Sequence, residues 1–130
     1  MVASLNCLLL MKLMPSYRVL SLILCHDKPR NRARQIEKFV DVATKLRHLN
    51  NYSALRAFIA GIHGSTYPGD ETMETFRTKS PDHYKILQSW ELLFRPLRSH
   101  RAYRMALRNS KGGCVPALLV LQLICHNISN

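Results

Sequence analysis

Apolar residues recur at spacings of three and four along two consecutive stretches in the middle of the chain. The first stripe is made of Ile36, Phe39, Val40, Ala43 and Leu46. The second stripe is made of Leu55, Phe58, Ile59 and Ile62. These spacings place each set on one face of an α-helix. The pattern therefore predicts two amphipathic helices joined by a tight corner at Leu49-Asn50-Asn51, with Asn51 or Ser53 capping the second helix.

The pattern downstream of this pair predicts further short helices and turns. Pro68-Gly69-Asp70 favours a chain reversal, and residues 73–76 favour a short helical piece. Ser80-Pro81 predicts the start of the next helix, with Ser80 as the cap and Pro81 in the first position. Its apolar stripe places Trp90 in the core, and Pro96 separates this helix from a final one. Because β-branched residues rarely alternate with polar ones, we expect an all-α helical bundle.

Length and composition agree with one small globular unit. The chain has 130 residues, of which 47% are hydrophobic, enough to bury a single core. The apolar N-terminal stretch, residues 1–25, is interrupted by Lys12, Pro15 and Arg18, so it falls short of the run that a membrane-spanning helix needs. We interpret it as one or two core helices broken at Pro15, and we expect a cytoplasmic protein.

Charge adds a second feature, because the chain carries 19 basic against 8 acidic residues, a net charge of +11. One basic group lies at residues 28–34, and a second falls largely at three- and four-residue steps that predict a cationic stripe along one helix. The stripe suits nucleic acid or an anionic membrane surface. A solvated helix face is favoured over a nucleic-acid groove, because no known reader motif accompanies the charge. The second group comprises Arg95, Arg98, Arg101, Arg104, Arg108 and Lys111.

Candidate chemistry for an enzyme or a metal site is not found in the sequence. The cysteines show no paired spacing, and the histidines show no ligand-like spacing, so we expect no metal and no cofactor. The glycines do not form a phosphate loop, and no hydrolase motif is present. We expect the thiols to be buried in a reducing compartment. The cysteines are Cys7, Cys25, Cys114 and Cys125.

Two ordered blocks of residues carry a resemblance to a known family. The first contains Ile36-Glu37-Lys38-Phe39 and, at the corner, the run from Leu46 to Tyr52. The second contains Tyr103-Arg104 and Gly113-Cys114-Val115-Pro116. Together they resemble the catalytic domain of Ras-type guanine-nucleotide exchange factors, the family of Son of sevenless. The resemblance implies a structural role for Asn50, Asn51, Tyr103, Arg104, Cys114 and Pro116.

The resemblance implies a regulator of a Ras-family small GTPase and not a bond-making enzyme. Such a protein binds the nucleotide-free GTPase more tightly than the nucleotide-loaded form. By reciprocity, it weakens nucleotide binding to the GTPase by the same ratio. The resemblance also implies that four residues contact the GTPase, namely Ile62, His63, Glu91 and His100. No nucleic acid is expected as a partner. Since Ras-type GTPases sit on membranes, an anionic membrane surface is a further candidate, with the protein at the membrane periphery.

The motifs cover residues 20–116 and leave both ends unassigned. Residues 1–19 form an unmatched apolar segment, and residues 117–130 diverge from the family, whose protruding helical hairpin has no counterpart there. We therefore expect a partial domain that docks on a GTPase without catalysing exchange. The alternative is a basic helical module that binds nucleic acid or anionic membrane.

Overall fold

The computed structural model describes residues 15–117, and this part of the chain is all α, as predicted. It contains no strand, and its one isolated β-bridge joins Asn51 to Val115 in parallel. No helix within it combines the length and apolar character that a membrane crossing requires. The helices are α1 Pro15–Leu24, α2 Pro29–His48, α3 Tyr52–Gly64, α4 Thr72–Lys79, α5 Pro81–Leu93 and α6 Arg101–Asn109.

The central pair, α2 and α3, forms as the apolar stripes predict. The corner between the two helices depends on Asn50, whose φ of 54° is left-handed, a conformation that Asn tolerates better than most residues. The side chain of Asn51 accepts a hydrogen bond from the backbone N–H of Ala54 at 3.1 Å, so the predicted cap is confirmed. The stripe residues that are buried are Ile36, Phe39, Val40, Ala43, Leu55, Ile59 and Ile62.

Helix α1 packs closely against α3 because α3 has a glycine at the contact. A Cβ added at Gly61 would lie 2.6 Å from the carbonyl oxygen of Ser16 and 2.6 Å from the Cβ of Val19. Val19 and Ile23 thereby reach the main hydrophobic cluster. This main cluster consists of Val19, Ile23, Ala33, Ile36, Phe39, Val40, Ala43, Leu55, Ile59, Ile62, Phe76, Leu87 and Trp90.

Helix α5 begins as predicted at Pro81, but the predicted capping by the Ser80 side chain is wrong. Ser80 occupies the N-cap position without a capping hydrogen bond. Its hydroxyl instead donates to a carboxylate oxygen of Glu37 on α2 at 3.0 Å. Trp90 is 6% exposed within the main cluster, which confirms its predicted place in the core.

The cationic stripe is shorter on its helix than the sequence predicts, since α6 begins only at Arg101. Arg95 and Arg98 lie in the loop before it, where the consecutive residues Arg98, Ser99 and His100 have φ values of 53°, 53° and 56°. A left-handed backbone does not continue a right-handed helix. The loop therefore ends the periodicity on which the longer stripe depended.

The expectation of buried thiols is wrong for the two cysteines in the described part of the chain. Cys25 follows the last residue of α1, and Cys114 lies in the segment after α6; both are free and exposed. Both fall in turn or loop positions, where the backbone runs along the surface. Cys7 and Cys125 lie outside the described residues.

Candidate functional site

The two sequence blocks, distant in the chain, are hydrogen-bonded to each other through their backbones. The N–H of Val115 donates to the carbonyl oxygen of Asn50 at 3.0 Å. In return, the carbonyl oxygen of Val115 accepts the N–H groups of Tyr52 at 2.9 Å and Ser53 at 3.2 Å. The first N–H groups of a helix have no partner within it. Residues 110–117 therefore cap α3 from outside and hold the corner in place.

Two buried tyrosines fasten this segment at its ends. Tyr52 and Tyr103 are both fully buried and pack edge to face, with ring centroids 5.5 Å apart. The Tyr103 hydroxyl oxygen accepts the N–H of Ala117 at 2.7 Å. The Tyr52 hydroxyl shares a hydrogen bond with the hydroxyl of Ser110 at 2.9 Å. Burial raises the pKa of Tyr103, so its phenol stays neutral and keeps this geometry at physiological pH.

The other motif residues are less enclosed. The amide oxygen of Asn50 accepts from a guanidinium nitrogen of Arg47 at 3.3 Å, and both residues are half-buried. Arg104 is exposed and donates to the carbonyl oxygen of Arg98 at 3.3 Å. Cys114 and Pro116 are exposed as well. A structural role for these three exposed motif side chains, Arg104, Cys114 and Pro116, stays a prediction.

The predicted GTPase-contacting residues fall into two groups. His63 at the end of α3 and Glu91 on α5 are brought together, with the imidazole Nε2 3.0 Å from a carboxylate oxygen, and they are 47% and 32% exposed. Ile62 is fully buried in the main cluster. His100 is buried in the loop that leads into α6. An exposed surface is thus present at His63 and Glu91; contact of any of the four residues with a GTPase stays a prediction.

A buried polar network near the start of α2 was not predicted from the sequence, because residues 28–34 were interpreted there as one basic surface group. The guanidinium of Arg32 donates to Thr72 Oγ1 at 2.8 Å and to Asp70 Oδ1 at 2.9 Å. It also donates to the carbonyl oxygens of His26 at 2.9 Å and Asp27 at 3.0 Å. The available signal was periodicity, because Arg32 lies four residues before the first member of the α2 stripe.

This network sets the charge state of Asp70. Burial acts to raise the pKa of its carboxyl group, but hydrogen bonds from Thr72 and Arg32, together with the charge of Arg32, outweigh it and hold that pKa below its ordinary value. The pair is almost fully enclosed, with side-chain exposures of 9% for Arg32 and 2% for Asp70. Asp70 is therefore charged at neutral pH and pairs with Arg32, which joins the α1–α2 connection to the start of α4.

The described residues form an all-α unit with two packed clusters and an exposed histidine–carboxylate pair at His63 and Glu91. The RasGEF domain family model matches residues 1–128. This chain belongs to the RasGEF domain family. The matched span is wider than residues 20–116, which the motifs alone cover, and the boundaries proposed within the chain stay a prediction.

Relatives include exchange factors from distant organisms. The chain is 34% identical over 98 residues to Ras guanine nucleotide exchange factor K of Dictyostelium discoideum, a match that covers 75% of this chain and 6% of that protein. It is 27% identical over 93 residues to factor F of the same organism, covering 72% of this chain and 8% of that protein. It is 29% identical over 108 residues to human Rap guanine nucleotide exchange factor 1, a match that covers 82% of this chain and 9% of that protein.

The chain thus spans less than a tenth of the length of these relatives. No solved structure is significantly similar to it. Nothing in the family or relative matches supports the alternative of a basic helical module that binds nucleic acid or anionic membrane.

Proposed function

We propose that this chain binds a Ras-family small GTPase and regulates it, as part of a guanine-nucleotide exchange domain that acts in cytoplasmic GTPase signalling. The observation that carries the proposal is the family match over residues 1–128. A protein that binds the nucleotide-free GTPase more tightly than the loaded form must weaken nucleotide binding by the same factor. The regulation needs no covalent chemistry and no cofactor from this chain.

We place the GTPase contact at the surface formed by His63 and Glu91. The support is their position, since the resemblance assigns contacts to the end of α3 and to α5, and these two side chains meet there at 3.0 Å while staying partly exposed. Ile62, beneath them, packs in the core and holds the end of α3 in position. An imidazole beside a carboxylate offers both a donor and an acceptor to a partner.

Binding to nucleotide-free and GDP-loaded Ras and Rap proteins tests the proposal. We expect the chain to prefer the nucleotide-free form of at least one of them. We expect His63→Ala and Glu91→Ala each to weaken that binding about tenfold, the cost of losing one polar contact with a charged group at the interface. Titration calorimetry or biolayer interferometry measures the change.

The chain offers a matched control for these variants. His83 on α5 and Asp41 on α2 form a second exposed pair, with the same 3.0 Å separation between imidazole Nε2 and carboxylate oxygen. We expect His83→Ala and Asp41→Ala to leave GTPase binding unchanged. Equal weakening by both pairs of variants would contradict the assignment of the surface, and no preference for a nucleotide-free GTPase would contradict the proposal itself.

Release of a fluorescent guanine nucleotide from the GTPase separates docking from exchange. The motifs that carry the resemblance end at Pro116, and from this we expect docking without accelerated release. Acceleration by this chain alone would show that it catalyses exchange, and that expectation would then be wrong.

A further inference from the structure

The end of the described chain carries positive charge only. Between residues 92 and 117 there are six basic side chains and no acidic one. All six are exposed, and within residues 15–117 none of them forms an ion pair. The field of this region is therefore uncompensated by its own segment, which favours an anionic partner. The six are Arg95, Arg98, Arg101, Arg104, Arg108 and Lys111.

Helix α6 presents three of these charges together on its outer face. Because successive residues of an α-helix differ by about 100° around its axis, Arg101, Arg104, Met105 and Arg108 fall within an arc of roughly 100°. All four side chains are exposed, and that of Met105 is 49% exposed. Tyr103 lies outside this arc and is fully buried. The outer face of α6 is thus cationic, with one apolar side chain among the arginines.

The loop before α6 adds to this face because it is hydrogen-bonded to the helix. The Arg104 guanidinium donates to the carbonyl oxygen of Arg98 at 3.3 Å, and the N–H of Arg101 donates to the carbonyl oxygen of Leu97 at 3.3 Å. Leu97 is 65% exposed. We call Leu97, Arg98, Arg101, Arg104, Met105 and Arg108 together the α6 surface.

We propose that the α6 surface docks on a membrane that contains anionic phospholipids. Its arginines complement the negative headgroups, and each basic side chain near such a surface adds to the attraction. Leu97 and Met105 fit the same partner, because an interfacial element places apolar side chains at the boundary between headgroups and acyl chains. A nucleic-acid backbone would use the arginines but would offer no apolar layer to Leu97 and Met105. Docking requires no GTPase and is independent of the function proposed above.

Co-sedimentation of the full chain with phosphatidylcholine vesicles, with and without about 20% phosphatidylserine, tests the proposal. We expect binding only to the anionic vesicles and a steep loss of binding as salt is raised. The triple variant Arg101→Gln, Arg104→Gln, Arg108→Gln should weaken partitioning on the order of 100-fold, because each basic residue contributes about a factor of five. The corresponding triple Arg→Lys variant should retain binding.

A control variant separates the α6 surface from net charge. Lys28, Arg30 and Arg34 are exposed at the start of α2, and changing all three to Gln removes the same charge. We expect that variant to change partitioning by no more than about threefold, because the α2 charges then act only at a distance and are screened. Circular dichroism confirms that each variant remains helical.

A third variant isolates the apolar part of the surface. Leu97→Ser with Met105→Ser should reduce binding several-fold while leaving its salt dependence in place, because only the apolar contact with the bilayer is removed.

Three results would overturn the proposal. The first is no binding to the anionic vesicles, and the second is equal weakening by the α2 and α6 glutamine triples. The third is tighter binding to a single-stranded RNA oligonucleotide than to the vesicles, which would assign the surface to nucleic acid instead.

Discussion

Arg32 shows how a single buried charge joins segments that are far apart in the chain. Its guanidinium contacts the α1–α2 connection through two carbonyl oxygens and the start of α4 through Asp70 and Thr72. A buried ion pair is costly when one partner is removed, because the other charge is then left without compensation. The network therefore tolerates substitution poorly, although the sequence around it looks like an ordinary basic surface.

Asp70→Asn should lower the free energy of unfolding by about 3 kcal/mol at neutral pH, because Arg32 loses its buried counter-charge. The effect should depend on pH in a defined direction. Since the pKa of Asp70 is depressed in the folded state, its contribution is present above the ordinary value of 3.8 and is lost as the pH falls through the lower folded pKa. Urea unfolding of both proteins between neutral pH and about pH 2 measures this difference.

The difference in the free energy of unfolding between wild type and Asp70→Asn should therefore become smaller at acidic pH. Glu74→Gln provides the control, because Glu74 pairs with Arg77 on the exposed surface of α4 and such pairs contribute little. We expect no measurable change for it at any pH. A difference for Asp70→Asn that stays constant down to the lowest pH would show that the carboxylate charge is not the stabilising feature.

Tyr103→Phe should destabilise the protein by about 1 to 3 kcal/mol, because the buried N–H of Ala117 loses its acceptor while the ring still fills its space. Amide hydrogen exchange should show faster exchange at Ala117, alongside the shift in the urea midpoint. Tyr67→Phe is the matched control, since Tyr67 is 52% exposed. Unchanged protection at Ala117 in Tyr103→Phe would mean that the hydrogen bond does not hold the segment.

At the scale of helices, local patterns were sufficient for much of the fold. The cap at Asn51 and the first position of Pro81 depend on residues within one turn, so the sequence predicts them directly. The buried stripes of α2 and α3 follow from helical periodicity in the same way. These features need no knowledge of what the helix packs against.

Contacts between helices could not be predicted in this way. The Ser80 hydroxyl donates to Glu37, 43 positions away, and accepts no backbone N–H of its own helix. His63 and Glu91 were each proposed as contact residues, but nothing in the local pattern indicates that they touch each other. Such pairs depend on how separate helices pack. A side chain that could cap its own helix can therefore form a hydrogen bond with a residue of another helix instead.

Gly61→Ala tests the packing of α1 on α3. Helix propensity alone would favour Ala by about 1 kcal/mol, but the added Cβ would overlap Ser16 and Val19 at 2.6 Å. Overpacking of this kind costs about 1 to 3 kcal/mol and should dominate, so we expect a lower thermal midpoint.

Gly64→Ala is the control for this change. Its Cβ would meet the end of the flexible Leu20 side chain at 2.8 Å, which can move aside. We expect little change in its thermal midpoint. A stabilised Gly61→Ala variant would show that α1 does not pack closely on α3.

At the scale of the whole molecule, the described residues form two hydrophobic clusters of unequal size. The main cluster involves α1 to α5, and the second consists of Tyr52, Tyr103 and Ala117. The partly buried side chains of Leu93 and Phe94 pack against both. Leu93 and Phe94, at the end of α5, thus form an apolar connection between the main cluster and the cluster under α6.

Phe94→Ala should therefore affect the second cluster more than the main one. Phe94 packs on Tyr103, with ring centroids 5.5 Å apart, and its truncation at this half-buried position should cost roughly 2 kcal/mol. We expect amide protection to fall first in α6 and at Val115, whereas protection in the buried middle of α2, at Ile36 and Val40, should stay nearly unchanged. Phe58→Ala removes a ring that packs on Phe39 in the main cluster. It should lower amide protection in α2 and α3 more than in α6. Equal loss of protection in both regions in Phe94→Ala would mean that the two clusters unfold as one unit, so that any substitution weakening the core of α2 and α3 would also release the α6 surface.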